Sequence, residues 1–235
     1  MTRLFLFIAV ASAGCEHPLL LKKYQATSPK RASLSGATVH VVPFVDAREA
    51  EWDEKKSEPR RDPKGFAYCE LTPQQHDAWE LERDKLEKTV PRTRWISVGQ
   101  MRNAFGMPVR EFFSVNAPAE WLTEAARLEL TAQGARLVDT ADADLVVQAT
   151  LRHASLELFM AEWAHLVLDV TTTVRGQPPK TVRLHTSDGR LAWSGNEVEA
   201  FEIYSATEQK LSWHLMELLA KEVQAANAAP RHLPL

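Results

Sequence analysis

The chain has 235 residues, 45% of them hydrophobic and 25% charged, with a formal net charge of -3 and a pI near 6.3. That balance suits a globular domain and argues against a nucleic-acid partner, which calls for a basic face. Its two cysteines, Cys15 and Cys69, exclude a disulfide-stapled fold and a cysteine-rich zinc site, so stability has to come from a hydrophobic core.

The N-terminal residues MTRLFLFIAVASAGC place Arg3 before an apolar run from Leu4 to Ala11, then small residues before Cys15. This is the order of a signal peptide, and the run is well short of the about 20 apolar residues that span a bilayer. Ser12, Ala13 and Gly14 before Cys15 resemble the lipobox of bacterial lipoproteins, in which the cysteine thiol receives a diacylglyceryl group and becomes the new N-terminus. Ala11-Ser12-Ala13 also reads as an A-x-A site for ordinary signal peptidase, which would release a chain beginning at Gly14. In the lipoprotein reading residues 1–14 are the signal peptide, Cys15 is lipidated, and residues 15–36 form a flexible tether with no clear period. Cys69 then has no partner within the chain.

A single domain is expected over 37–226, with a frayed tail at 227–235. Thr38 to Val45 reads as a first buried strand, with Pro43 marking an edge or bulge. Residues 49–94 turn densely charged and read as an insertion. Within it Thr72-Pro73 opens a surface helix with Trp79, Arg83 and Leu86 on one face. Trp95 to Val98 suggests a short strand. Asn116 as N-cap and Pro118 at the first turn open an amphipathic helix with Trp121, Leu122, Ala125, Ala126 and Leu128, ending at Gly134.

Arg136 to Val138 reads as a short strand before a turn at Asp139 to Asp144. Val147, Ala149 and Leu151, and then Leu166, Leu168, Val170 and Val174, alternate as half-buried strands. Gly176 to Pro179 is a turn, and Ser187-Asp188-Gly189 predicts a tight hairpin returning through Leu191 and Trp193. Ser205 and Glu208 form a capping box before a helix carrying Leu211, Leu215, Leu218, Leu219 and Val223. The order implies an α+β fold: a mainly antiparallel sheet with two helices packed on one face, plus a charged helical insertion.

Chemistry is sparsely marked. No histidine pair has the spacing of a helical metal motif, and no nucleophile elbow, phosphate loop or dinucleotide fingerprint occurs. His40, His153, His165 and His185 fall on strands, where alternation turns them outward onto a solvated face, and no metal or cofactor is expected. Asp46 with Arg48 suggests a charged pair at a strand end. Asp139, Asp142 and Asp144 read as turn residues. No catalytic residue is assigned. Trp121, Trp193 and Trp213 fit core positions, while Trp52, Trp79 and Trp95, in or beside the polar insertion, are candidates for a partner surface or for pins that hold the insertion to the body.

The strand ending FVDAR, the segment VGQMRNAFGM and the run PAEWLTEAARLELTAQGARLVDTADADLVVQATL resemble the YajG-like group of bacterial lipoproteins, over roughly Ala37 to Ala226. Asn103 and Gly106 in the second motif suggest a fixed turn feeding the helix. The resemblance implies a compact, periplasm-facing α+β domain tethered by lipid, with no established enzymatic activity. The expected role is a non-catalytic interaction or structural component of the cell envelope, with the membrane and an envelope protein as partners. Two alternatives are an accessory lipoprotein of an ABC-type envelope transporter and a metal-assisted envelope hydrolase using strand histidines. By the same resemblance Glu16 after Cys15 favours the outer over the inner membrane, since it is not the Asp that favours inner-membrane retention in well-known enteric bacteria.

Overall fold

The computed structural model describes residues 34–48, 72–102, 108–159, 161–191 and 197–228. Eight strands and three α-helices lie among these residues, and all the strands join one sheet in an α+β fold. Its spine is β6 (Leu145–Phe159). Along one edge β6 pairs antiparallel with β7 (Ala161–Val174), which in turn pairs antiparallel with β8 (Lys180–Leu191). Along the other edge β1 (Thr38–Val41), β2 (Val45–Asp46) and β3 (Ile96–Arg102) follow one another, each parallel to β6. β3 carries β4 (Pro108–Ser114) antiparallel on its outer side, and β1 carries β5 (Arg136–Leu137) in parallel. The sheet is therefore mixed: the long ladders are antiparallel, and the parallel ones join segments far apart in sequence.

Period-two burial sets the two faces of this sheet. Leu145, Val147, Ala149 and Leu151 of β6 and Ala164, Leu166, Leu168 and Val170 of β7 are all buried. Each such leucine or valine contributes about 1.5–3 kcal/mol when fully withdrawn from water. The long helix α3 (Glu197–Ala228) lies on the same face: Thr186 Oγ1 donates to the Thr207 carbonyl at 3.3 Å, and Lys210 Nζ stands 3.1 Å from the Asp188 carboxylate. Farther along, Lys180 Nζ meets Glu222 at 2.5 Å, so α3 runs antiparallel to β8. Helix α2 (Pro118–Ala132) buries Trp121, Leu122, Ala125, Ala126 and Leu130 and touches α3. Thr123 Oγ1 of α2 accepts the Phe44 N–H at 2.9 Å, and Gly134, at φ 89°, ends the helix where the sequence predicts.

Several local expectations are corrected. The stretch from Thr38 to Val45 is two strands, β1 and β2, broken at Pro43, which has no N–H to give a ladder. Ala117, not Asn116, is the N-cap of α2; the Asn116 side chain instead accepts the Ser114 hydroxyl at 3.1 Å. The residues following β3, read as a turn into α2, include β4, so β3 and β4 form an antiparallel pair before the helix. Ser187-Asp188-Gly189 makes no turn and lies inside β8.

Helix α3 begins at Glu197, well before Ser205, and extends through Asn227 and Ala228. Ser205 and Glu208 are thus interior residues whose neighbouring amides already bond to carbonyls one turn back, which leaves a capping box nothing to cap. Helix α1 (Pro73–Thr89) starts at the expected proline, leaves Leu81 exposed and sets Leu86 against the core. Asn103, Gly106, Cys69 and Trp193 lie outside the described residues.

Candidate functional site

The face of β6, β7 and β8 turned away from α3 carries the described polar chemistry. Cross-strand register arranges it in rows: Thr150, Asp169 and Arg183; His153, Val167 and His185; Ser155, His165 and Ser187; Glu157, Trp163 and Gly189. In the first row the Asp169 carboxylate takes two hydrogen bonds from Arg183, at 2.6 and 2.8 Å, and one from Arg152 Nε at 3.0 Å. The Arg183 hydrogen bonds, aided by Arg152, hold its carboxyl below the usual carboxylate range.

The next two rows gather three of the four strand histidines. The rings of His165 and His185 stand 6.1 Å apart, and His153 Nε2 lies 2.8 Å from Ser155 Oγ. They point away from the apolar core, as alternation requires, but the face is not fully solvated: His185 is only 4% exposed and Val167 in the same row is fully buried, while His153 and His165 are half-buried. Burial, reinforced by the positive charge that His165, His185 and Arg48 would place nearby, pulls His153 down to about 4. Its imidazole is therefore neutral at neutral pH. His40 stands apart on β1, its Nδ1 2.9 Å from the Val138 carbonyl. Among the described residues no group of three or more His, Cys, Asp or Glu side chains is arranged to hold a metal ion.

In the last row Trp163 leans across onto β8. A Cβ added to Gly189 would sit 2.3 Å from the indole Cε3 and 2.6 Å from Cδ2, so the glycine makes room for the ring. The signature that reads as a turn in sequence is thus a close approach within a strand. The Trp163 ring is nearly parallel to that of His165, at 16° with centroids 6.3 Å apart, and Trp163 keeps 46% of its surface exposed. Trp163 is not among the tryptophans that the sequence marks as a partner surface. The signal was present in its alternation with Ala164, Leu166 and Leu168, which puts it on the face opposite the core.

The opposite face holds a second unusual group. Tyr204 and Glu208 stand one turn apart on α3, both fully buried, and neither the Tyr204 hydroxyl nor the Glu208 carboxyl oxygens have a hydrogen-bond partner among the described residues. Burial raises the Glu208 carboxyl well above its ordinary range, and burial together with nearby Glu208 raises the Tyr204 hydroxyl. The same burial disfavours the charged form of Glu208.

Of the residues singled out in sequence, Cys15 and Trp52 lie outside the described residues, as does the side chain of Trp79. Trp95 is half-buried; its Nε1–H donates to the Val90 carbonyl at 3.3 Å, its ring lies 6.2 Å from that of Phe113, and the Arg92 guanidinium sits over it at 5.1 Å. These contacts tie the end of α1 to the β3–β4 pair. Asp46 and Arg48 pair at 2.9 Å, and Arg48 also donates to the Ser97 carbonyl, fastening β2 to β3. Asp144 serves structure as well: its carboxylate accepts from the Thr38 amide at 2.9 Å and from the Thr38 hydroxyl at 2.6 Å, joining the starts of β1 and β6.

No family model matches the chain. A search of curated proteins found no match either. The architecture is nevertheless similar to that of a Xanthomonas campestris protein of family DUF330, with 8% identity, a TM-score of 0.50, and coverage of 90% of this chain and 100% of that one. At that identity the likeness concerns the fold alone. Other similarities are to a hypothetical protein from Chlamydia trachomatis (11% identity, TM-score 0.32, 80% of this chain and 98% of that one) and a minor lipoprotein from Acinetobacter baumannii (18%, 0.30, 48% and 89%).

Proposed function

We propose that the chain is a lipid-anchored component of the bacterial cell envelope, held at the membrane through Cys15, whose α+β domain acts by binding and not by catalysis. The observation that carries this reading is the N-terminal order of Arg3, the apolar run Leu4 to Ala11, and small residues before Cys15. Among the described residues no helix is long and apolar enough to cross a membrane, so attachment through lipid would give the domain its place there. Two or three acyl chains, at about 0.8 kcal/mol per buried methylene, make such an anchor stable. The motifs FVDAR and VGQMRNAFGM, which resemble those of YajG-like lipoproteins, favour the same assignment, and Glu16 favours the outer membrane.

The Trp163 end of the β6 to β8 face turned away from α3 is the surface through which this domain would engage its partner, because there the exposed Trp163 stands among polar rows. The Ser155 and His153 pair is a poor hydrolytic device: a general base works best with a pKa near the working pH, and burial holds His153 far below it. Metabolic labelling with radioactive palmitate, followed by membrane fractionation, tests the anchor. The wild type takes up label and sediments with outer membranes, while Cys15→Ser takes up none and is released. An unlabelled wild type that fractionates as Cys15→Ser does would reject the lipid anchor in favour of cleavage at Ala11-Ser12-Ala13.

A further inference from the structure

Trp163 is the one aromatic side chain among the large hydrophobic residues exposed within the described part of the molecule. Its surroundings define what it can bind. The benzo edge of the indole lies over Gly189, where any Cβ would collide with it, so the backbone of β8 supports the ring from below. His165, two residues along the same strand, extends this surface, since ring centroids 6.3 Å apart match the repeat of about 6.6 Å between alternate strand residues. The two rings lie beside one another like tiles and leave the indole close to half exposed.

The rim is polar. Glu157 shares the row of Trp163, Ser155 and Ser187 flank His165, and Val167, the nearest described apolar side chain on this face, is fully buried a row farther on. A protein anchor of the hot-spot type is set in an apolar patch that excludes water, which this rim does not supply. An anionic lipid surface draws basic residues, whereas the charged side chain in the row of Trp163 is a carboxylate. An aromatic face carries partial negative charge and attracts the weakly positive C–H groups of a flat ring, while a few hydroxyl, imidazole and carboxylate groups at its edge fix orientation. A pyranose presents those two features together, a C–H face and a girdle of hydroxyls.

We propose that Trp163 is the stacking platform of a glycan-binding site, taking an uncharged pyranose ring on its exposed face, with Glu157, His165 and Ser187 bonding the sugar hydroxyls. This rests on the reading of the β6 to β8 face as the binding surface and names the chemistry of its partner.

The test is a printed array of neutral and N-acetylated amino-sugar oligosaccharides, probed with the full-length protein in detergent. Selective binding to a subset of glycans is expected. Trp163→Ala should weaken it by about tenfold or more, and Trp163→Phe should restore part of it. Gly189→Ala, which displaces the indole from its support, should weaken it as well, whereas Leu81→Ala on the exposed side of α1 should leave it unchanged. Circular dichroism and the urea midpoint of Trp163→Ala, unchanged from wild type, would show that a loss of binding is not a loss of fold.

A blank array, or glycan binding indifferent to Trp163→Ala, overturns the proposal. A blank array combined with photo-cross-linking of an envelope protein from position 187 would overturn the glycan and keep the binding face. Trp163-dependent binding to phosphatidylglycerol vesicles, with the array blank, would overturn it in favour of lipid. The outcome for Cys15→Ser bears on the anchor alone.

Discussion

The two faces of β7 make a controlled comparison, because they belong to the same fourteen residues. Ala164, Leu166, Leu168 and Val170 are buried toward α3, while Trp163, His165, Asp169 and Thr171 alternate with them on the other side. One face is held by the removal of apolar area from water, the other by hydrogen bonds and ion pairs between neighbouring rows. Each also carries a titratable group whose charged form burial disfavours, the fully buried Glu208 against the first and the half-buried His153 on the second. Stability of the two sides should therefore differ in size and in its response to pH.

The largest effect is expected from Leu168→Ala, which opens a cavity beneath α3 and should cost about 3 kcal/mol in urea unfolding. A cost no greater than that of a surface substitution would show that α3 does not seal this face. Next, Glu208→Leu should stabilise the protein by about 2 kcal/mol at pH 7, because it removes a buried polar group that lacks a partner. The sign of the pH response follows from the raised carboxyl. The folded protein keeps a proton that the unfolded chain loses, so the contribution of Glu208 is fully present below about pH 4.5 and shrinks as pH rises. Wild type should gain on Glu208→Leu between pH 7 and pH 5, measured as the difference in urea midpoints.

His153 works in the opposite sense. Its folded value of about 4 lies below the ordinary 6.5, so as pH falls between them the unfolded chain takes up a proton that the folded protein refuses, and stability is lost. His153→Gln should blunt that acid loss by about 1 kcal/mol, the shift being discounted for the partial exposure of the ring. If both variants moved the acid limb in the same direction, the opposed behaviour of the two faces would be refuted. The smallest effect belongs to Thr171→Ala, whose hydroxyl meets that of Thr181 at 2.8 Å in an exposed row; it should change stability by no more than about 0.5 kcal/mol.

What was legible in the sequence follows the range of the interactions. The alternation of Val147, Ala149 and Leu151, and of Leu166, Leu168 and Val170, reports a face whose burial is decided residue by residue. The stripe of α2 and its end at Gly134 are equally local. Misreadings arose where a distant residue decides. Ser187-Asp188-Gly189 has turn chemistry, but Gly189 is needed because Trp163 on the neighbouring strand lies over it. Ser205 and Glu208 match a capping box, yet the helix is already under way at Glu197. The parallel pairings of β1, β2 and β3 with β6 leave no local trace, and the histidine rows needed the register of β6, β7 and β8 before His153, His165 and His185 could be seen as neighbours.

The bond between Thr38 and Asp144 spans 106 residues of chain. The three strands along that edge of β6 all precede it, so during synthesis from the N-terminus their pairing with the spine waits until β6 has been made, although β3 can already pair with β4. Non-local parallel pairing is intrinsically slow to form. If the chain carries the proposed anchor at Cys15 and is passed through a membrane unfolded, such a delay has a use: the strands of that edge stay unpaired with the spine while the chain is moved, and the sheet closes only on the far side.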